Sequence, residues 1–429
     1  MISFCKLYVA GIVSFVLAHH CCAEQVPDVQ NLTLRQAFQI AVERNHDLRL
    51  SVNAVQSAGA AIEVAGASPN PTLTLQTASI NPKVGIGDGT LRNKTVDSSI
   101  RIDQLIERGG KRELRKAVAA TMEDAARSDL IDTRRQLHVL VSQAYYDALA
   151  SEEKLVILRH TADLYDTTIS AAQKRQKAGD IANADVARLQ VDALRAKNDV
   201  LQGEADVKKA KHSLATLLGS VNLASQIRLS DTWPTAQFDS VEPSDSLIEQ
   251  RADVVAAKLR LESAKTARKL ALAARTRDVS VGAQYDHYPV SEANTQGTGN
   301  SFGFSVQIPL FFRYQFDGEI RAAEVAVDAA SETLEKIRDA ATNELHQNWQ
   351  DARSSFDQLR IYDDKLLVAA KKTADAAEFA FQHGAISIMD VLDTRRTYRA
   401  TQLDALTARA SYAKSLAAWQ ATLTENLSQ

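Results

Sequence analysis

Hydrophobic residues recur at helical spacing along two long stretches of the chain, 111–178 and 319–383, that contain neither glycine nor proline. In the first stretch, the seam positions are separated alternately by three and four residues: Leu155, Leu158, Ala162, Tyr165, Ile169 and Ala172. The second stretch repeats this spacing: Leu359, Tyr362, Leu366, Ala369, Thr373, Ala376 and Ala380. Such a pattern is typical of coiled coils. It predicts two helical rods, over about 111–178 and about 319–382, each roughly 100 Å long.

Shorter helical segments flank each rod. They are predicted over 33–65 and 245–275 before the rods, and over 183–218 and 387–423 after them. Asn45 indicates a break in the first of these segments. Gly179 and Gly384 end the rods, since glycine readily adopts the left-handed conformation of a helix C-terminus. Asn183 and Ser387 are the expected N-caps of the helices that follow.

Between the early helices and the rods, the hydrophobic period changes from 3.6 to 2. In one such segment Phe302, Phe304 and Val306 alternate with Ser301 and Ser305. The predicted strands cover about 71–79, 95–104, 279–287 and 301–310, and form two hairpins. The sequence therefore predicts a mostly α-helical fold with a small β part.

The motif G-x-I-x-x-x-D-V occurs twice, from Gly179 and again about two hundred residues later from Gly384. The order helix, β-hairpin, long helix, helix also occurs twice. A tandem duplication explains both observations. We therefore divide the chain into structural repeats over 24–230 and 231–429, which together form one domain.

The first residues, 1–23, are a predicted secretory signal peptide. Lys6 precedes an apolar run over 7–18 that is too short to span a bilayer, and small residues follow it. Lipidation of Cys21 or Cys22 is an alternative for the same segment. All three cysteines of the chain lie here, so the mature protein has no disulfide and no cysteine metal site.

Composition narrows the class of protein further. The formal net charge is only −3, and no basic patch stands out, which argues against nucleic-acid binding. No later segment approaches eighteen consecutive apolar residues, so no transmembrane helix is predicted. The chain is therefore expected to be exported and rich in long helices.

The strands suit a transmembrane β-barrel, because each is about ten residues long with one apolar and one polar face. A soluble, half-buried sheet is the alternative. An aromatic cluster near the last strand favours a lipid interface: Phe311, Phe312, Tyr314 and Phe316. Four strands cannot close a barrel, and open strand edges are not tolerated in lipid. Several copies of the chain are therefore needed to complete one barrel.

The mature chain as a whole resembles the outer-membrane efflux channel family of the TolC type. In this family's turn, glycine is followed six residues later by Asp-Val, as it is after Gly179 and Gly384. The segment 389–393 is similar to the family's second-repeat aperture segment. The segment 104–112 is similar to the strand-to-helix junction of the heavy-metal branch, the CzcC-like, CnrC-like and NccC-like proteins.

This resemblance implies a homotrimer with a twelve-stranded transmembrane β-barrel, continued by a periplasmic α-helical coiled-coil barrel. It implies a location in the cell outer membrane of a Gram-negative bacterium. A periplasmic adaptor (membrane fusion protein) and a proton-driven inner-membrane RND pump are the expected partners. In the heavy-metal branch the substrates are divalent cations of nickel, cobalt, zinc or cadmium. The channel would be a passive exit duct, without catalysis or a cofactor.

Other functions stay open at this point. Within the family, export of drugs, of copper or silver, or of proteins is the alternative. From a different class, the chain would be a soluble periplasmic coiled-coil scaffold or adaptor. An adaptor should also contain compact β-rich domains, which the sequence does not show.

Acidic residues near the two turns are candidates for a gate. The resemblance implies that Asp185, Asp390 and Asp393 lie where the tunnel narrows, so that a three-fold axis would repeat each as a carboxylate ring that selects cations. The alternative is that Asp185 and Asp390 only offset the helix macrodipole, worth roughly 0.3–1 kcal/mol. Asp393, one turn further along, is less easily explained in that way.

Two further aperture positions depart from the family pattern. The type member has a tyrosine and an arginine that form closing links, and here these positions hold Phe381 and Ile386. A polar latch of that type is therefore not expected in this chain.

The tips of the hairpins, Gly179 with Val186 and Gly384 with Val391, are candidates for contact with the adaptor. Turn formation and core packing are the alternative roles of these four residues. No mature histidine has metal-ligand spacing, and His383 is of interest only because it adjoins a turn glycine.

Overall fold

The protein is described here by a computed structural model, covering residues 29–80, 96–179, 181–238, 242–289 and 299–423. The predicted signal peptide and its cysteines lie outside these ranges, as does the predicted start of the second strand. Within the described ranges, no helix has the length and apolar character needed to cross a membrane.

The described residues of the first half form four α-helices. Helix α1 spans Leu34–Arg44, α2 His46–Gly66, α3 Lys111–Lys177 and α4 Asn183–Leu217. Asn45 separates α1 from α2, and its side-chain oxygen accepts hydrogen bonds from the N–H groups of Asp47 and Leu48 in the first turn of α2. Because these donors have no partner within the helix, the polar side chain fixes the break between the two helices.

The second half repeats this order with one difference. Helix α5 spans Ala252–Ala273, α6 Asp317–Ile361, α7 Leu367–Gln382 and α8 Ile388–Leu423. The expected single rod over 319–382 is interrupted, since a π-helical turn at Tyr362–Leu366 separates α6 from α7. Such a turn adds one residue to the hydrogen-bonded ring and shifts the helix face that follows it.

A short 3₁₀ helix at Val221–Gln226 follows α4, and a second at Asp245–Gln250 precedes α5. The predicted helix over 245–275 therefore begins as a 3₁₀ turn and continues as α5 after Arg251.

Four strands form one antiparallel sheet in the order β1-β2-β3-β4. Strand β1 spans Thr72–Ala78, β2 Asp97–Ile106, β3 Val279–Tyr288 and β4 Gly299–Gln307. The two hairpins join through β2 and β3, whose register pairs Ile102 with Ala283. Strands β1 and β4 are therefore the free edges of the sheet within one chain.

The two faces of the sheet differ in polarity. One face is apolar and exposed, with Phe304 at 89% and Phe302 at 77% exposure. The other face carries an ion pair between Arg101 and Asp103, and the Arg101 guanidinium also donates to Ser305 Oγ at 3.1 Å. This contact crosses β3 above Gly282, where a Cβ atom would lie only 2.4 Å from the Asp103 carboxylate.

The middle of the helical part is held by a buried core around Tyr145. Its hydroxyl donates to the Leu32 carbonyl at 2.8 Å and accepts from the Asp231 N–H at 3.3 Å. Leu32 and Leu229 also form an isolated parallel bridge. The start of the described chain and the segment between the repeats are thereby fastened to the long helix α3.

A charged cluster joins the two halves near the start of α5. Arg251 Nη2 lies 2.8 Å from both Asp253 Oδ2 and Glu344 Oε2, and Arg135 Nη1 lies 2.8 Å from Glu344 Oε1. Arg251 is only 7% exposed, whereas the Glu344 side chain is 40% exposed. The cluster therefore connects both α3, through Arg135, and the start of α5, through Arg251, to Glu344 on α6.

Candidate functional site

The candidate site lies at the two helical tips, where α3 turns into α4 and α7 turns into α8. Gly179 and Gly384 end the long helices with φ angles of +89° and +73°. At the second tip the Gly384 N–H donates to the Phe381 carbonyl at 3.0 Å, and the Ala385 N–H to the Ala380 carbonyl at 2.8 Å. These bonds satisfy carbonyl groups that the helix end leaves free.

Replacing Gly384 with alanine is expected to lower the free energy of unfolding by about 1–2 kcal/mol, because an L-residue with a side chain is disfavoured at this φ. A Cβ atom at this position meets nothing within 4 Å, so the whole effect is conformational. Gly59 lies inside α2, and alanine there should stabilise the helix by about 0.5–1 kcal/mol. Urea titration followed by circular dichroism measures the free energy of unfolding of both variants. If the two substitutions changed it in the same direction, the left-handed φ of Gly384 would not explain the loss.

An apolar core fills the tip region. It includes Val186, Leu189 and Tyr165 from the first hairpin and Ile388 and Leu392 from the second. The two hairpins therefore pack directly against each other next to their turns.

Val186 and Val391 are both buried, with 4% and 5% exposure. Their side chains are packed inside the tip in this conformation. Gly179 and Gly384 are exposed at the turns. The surface that the tips offer to another protein is therefore formed by the turns themselves.

The first turns of α4 and α8 differ in how their acids are used. Asp390 and Ser387 form a reciprocal cap: Ser387 N–H donates to Asp390 Oδ2 at 3.1 Å, and Asp390 N–H to Ser387 Oγ at 3.3 Å. Asp185 lies 3.8 Å from Arg188, within the same helix. The expected N-cap Asn183 is wrong: Ala182 is the N-cap of α4, and Asn183 Oδ1 accepts instead from Gln176.

Asp393 stands apart from the other two acids. It is exposed, and within the described part of the chain its carboxylate makes no hydrogen bond and no ion pair. Capping therefore accounts for Asp390, while the Asp393 charge has no such structural use.

Phe381 and Ile386 are half-buried, and Phe381 packs against the tip core. The Arg175 guanidinium lies 5.2 Å from the centre of the Phe381 ring. This contact is a cation–π interaction across the two hairpins. His383 is also engaged, since its Nδ1 lies 2.8 Å from the Phe379 carbonyl oxygen.

Three arginines of α8 form a clamp that the sequence analysis missed. Arg395 pairs with Glu378 at 2.9 Å and donates to Thr168 at 3.1 Å; Arg396 pairs with Asp192, and Arg399 with Asp199 at 2.5 Å. These contacts tie α8 to α3, α4 and α7. The spacing of Asp192 and Asp199, two helical turns apart, was the only signal for it.

Among the described residues, no group of three or more histidine, cysteine, aspartate or glutamate side chains is arranged to hold a metal ion. The described acids near the tips are therefore spread along the helices instead of being gathered into one coordination site.

Two long helical hairpins that extend from a four-stranded antiparallel sheet are the architecture of an outer-membrane efflux channel subunit. The model of the family described as "Outer membrane efflux protein" matches residues 37–220 and 244–424, and the chain belongs to this family. The family consists of efflux channels, which are passive conduits and not enzymes.

Individual relatives agree with this assignment. The cobalt-zinc-cadmium resistance protein CzcC of Cupriavidus metallidurans is 24% identical over 85% of this chain and 84% of its own length. The probable outer membrane lipoprotein SilC of Salmonella typhimurium is 23% identical over 84% of this chain and 79% of its own. A crystal structure of CusC matches with a TM-score of 0.75 at 19% identity, covering 91% of each chain, and shows the same fold.

Proposed function

We propose that three copies of this chain form a twelve-stranded β-barrel in the cell outer membrane, continued by an α-helical tunnel into the periplasm, and that this channel exports divalent heavy-metal cations. The observation that carries the proposal is the exposed apolar face of the sheet. Its members come from all four strands: Leu73, Leu75, Ile100, Ile102, Val281, Phe302, Phe304 and Val306. A continuous exposed surface of this kind marks contact with lipid or another protein.

The free edges of the sheet support the trimer. Strands β1 and β4 each pair on one side only within a single chain. In lipid, unpaired backbone N–H and C=O groups are costly, so β4 of one copy must pair with β1 of the next. A twelve-stranded barrel from three copies satisfies all of these groups.

Exposed apolar residues on the tunnel helices support the same assembly. On α4 they are Val191, Leu194 and Leu201, and on α7, after the π-helical turn, they are Val368 and Phe379. Both sets follow helical spacing, so each presents one apolar stripe. Packing of α4 on the second rod of the next copy would bury both stripes and close the ring of helices.

The substrate class rests on the heavy-metal resistance named for the CzcC relative and on the unpaired acid at the tip. A periplasmic adaptor and a proton-driven RND pump in the inner membrane would deliver nickel, cobalt, zinc or cadmium to the tips. Drugs, copper or silver, and proteins are the competing substrates.

Deleting the gene should sensitise cells to nickel, cobalt, zinc or cadmium, because the pump complex would lose its exit duct. Growth is compared on these metals, on copper and silver, and on a drug panel. The intact gene supplied on a plasmid should restore resistance. Sensitivity confined to drugs would contradict export of metals.

Replacing Asp393 with alanine should reduce the cation selectivity of the open channel, because a three-fold ring of carboxylates would be lost at its narrow end. Single-channel currents under a salt gradient measure the selectivity. Asp404 is also an exposed acid of α8, three turns further from the tip, and its alanine variant is the matched control. Equal selectivity in the wild type and the Asp393→Ala variant would exclude the ring.

A further inference from the structure

Three unpaired arginines lie at the edge of the sheet that faces the helices. Arg108 follows β2, Arg277 precedes β3 and Arg313 follows β4, and all three side chains are exposed. The strand ends meet at this edge, since Ile106 pairs with Val279. Within the described ranges none of the three arginines has an acidic partner.

The other charges at this edge largely neutralise one another. Lys111 pairs with Asp278 at 2.9 Å, Arg115 with Glu107 at 2.5 Å and Arg275 with Asp317 at 2.6 Å. Arg112 donates to the backbone carbonyl of Gly66, which leaves its charge available, and Glu113 in the same turn offsets it. Glu319 is a further acid at this edge, and its Oε2 accepts a hydrogen bond from Tyr314. Because Arg108, Arg277 and Arg313 outnumber it, the edge keeps an excess of positive charge.

Four aromatic residues lie between β4 and α6, in the same segment as Arg313. Phe312 is 82% exposed, and Tyr314 is exposed beside it. Phe311 and Phe316 meet edge to face at 5.0 Å, and the Arg277 guanidinium lies 5.9 Å from the centre of the Phe311 ring. We call the three arginines and these four aromatic residues the collar.

One collar residue, Phe316, has a strained backbone conformation. Phe316 is the N-cap of α6 and has a φ of +64°, a conformation that favours glycine. In the first repeat the corresponding N-cap of α3 is Gly110, with a φ of +68°. The Phe316 ring packs against Phe311 and Tyr314, with ring centroids 5.0 and 6.0 Å apart, and these contacts hold it within the collar despite the strained φ.

We infer that the collar binds anionic phospholipid headgroups in the periplasmic leaflet of the outer membrane, an inference that rests on the proposed function. If the sheet crosses the outer membrane, this edge lies at its periplasmic surface. Guanidinium groups bind phosphate oxygens through paired hydrogen bonds, and exposed aromatic rings settle at the level of lipid headgroups. The combination therefore suits a phospholipid surface with negative charge.

The test uses the full-length trimer in vesicles of phosphatidylethanolamine and phosphatidylglycerol in equal amounts. After detergent extraction, native mass spectrometry counts the lipids of each kind that stay bound. The wild type should prefer phosphatidylglycerol, and each arginine should contribute about fivefold to that preference. The Arg108→Gln/Arg277→Gln/Arg313→Gln variant should therefore lose roughly 100-fold in preference.

Arg35→Gln/Arg49→Gln/Arg353→Gln is the matched control, since these exposed arginines lie on helices away from the collar. It should bind the two lipids as the wild type does. An unchanged preference in the collar variant, or an equal loss in the control, would overturn the inference.

If the collar variant does not assemble, the salt dependence of lipid binding by the wild type tests the inference instead. Raising the salt concentration to about 0.5 M should weaken the preference, because exposed charges are then screened within a few ångströms. A preference that does not respond to salt, or no preference at all, overturns lipid binding by the collar while the trimer in the outer membrane still stands. Absence of the wild type from the outer membrane would instead overturn the proposed function.

Discussion

The Phe302→Arg/Phe304→Arg variant is expected to disappear from the outer-membrane fraction. Both side chains project from the apolar face of β4, where they are the most exposed large residues of the sheet. An arginine on the lipid face of a transmembrane strand costs about 2–4 kcal/mol near the middle of the bilayer. Two such costs in each of three copies would outweigh the stability of an ordinary protein assembly. Sucrose-gradient fractionation and unheated gel electrophoresis report the loss of inserted trimers.

The matched control places the same charges on the opposite face of the same strand. Ser301 and Gly303 alternate with the two phenylalanines and face the polar side, and a Cβ atom at Gly303 meets only ordinary contacts. Ser301→Arg/Gly303→Arg should therefore still insert, with arginines in the water-filled interior. Equal behaviour of the two variants would show that the apolar face of the sheet does not contact lipid.

Replacing Arg251 with alanine is expected to destabilise the helical part by about 3 kcal/mol. The guanidinium is buried and bonded to both Asp253 and Glu344, so its removal leaves Asp253 without its ion-pair partner and Glu344 with Arg135 alone. Breaking a buried ion pair on one side typically costs about 3–5 kcal/mol, and the partial exposure of Glu344 reduces this figure. Urea titration followed by tryptophan fluorescence measures the change, since Trp349 is buried on α6.

Lys265 and Glu262 form an exposed ion pair on α5 and supply the control. Lys265→Ala should change the free energy of unfolding by less than about 1 kcal/mol, because surface pairs contribute little. A loss in Arg251→Ala no larger than that of the control would contradict a stabilising role of the cluster.

The stability lost in Arg251→Ala should depend on pH, because it depends on the ionisation of the Glu344 carboxyl. Burial alone would raise the pKa of this carboxyl, but hydrogen bonds from Arg251 and Arg135 outweigh burial and lower the pKa below its ordinary value. A lowered pKa in the folded state contributes stability above the unfolded value of about 4.3, which is lost as pH falls through the folded value. The difference between wild type and Arg251→Ala should therefore be largest near neutral pH and shrink below about pH 4.

Much of the fold could be predicted from local patterns. Helical spacing identified α3 and the second rod, which the structure divides into α6 and α7; alternation identified the strands, and the two glycines located the tips. These signals arise from residues close together in the chain, which is why periodicity reveals them. The pairing of β2 with β3 was not predicted, because it depends on contacts between residues nearly two hundred positions apart.

Departures from the repeat were harder to predict. The π-helical turn at Tyr362–Leu366 has no counterpart in α3, and no glycine or proline marks it. Asn45 caps α2 locally, whereas the corresponding Arg251 bonds to Glu344 on α6 instead. Such differences are set by partners distant in sequence, which one chain's pattern does not specify.

At the candidate site, the local sequence predicted the roles of the acidic residues better than it predicted the burial of the apolar residues. One of the two predicted roles of Asp390 was to offset the helix macrodipole, and the structure shows Asp390 in the first turn of α8, in a reciprocal cap with Ser387. The role of Asp393 as a gate stays a prediction. Val186 and Val391 were candidates for partner contact because they adjoin the turns. Their burial depends on how the two hairpins pack, which a local motif does not report.

The number of copies in the protein extracted from outer membranes tests the central claim most directly. Outer and inner membranes are separated from the soluble periplasm, and the mass of the purified wild-type particle is measured in detergent. We expect three copies per particle, recovered from the outer membrane. Recovery as a monomer in the soluble periplasm would contradict this expectation.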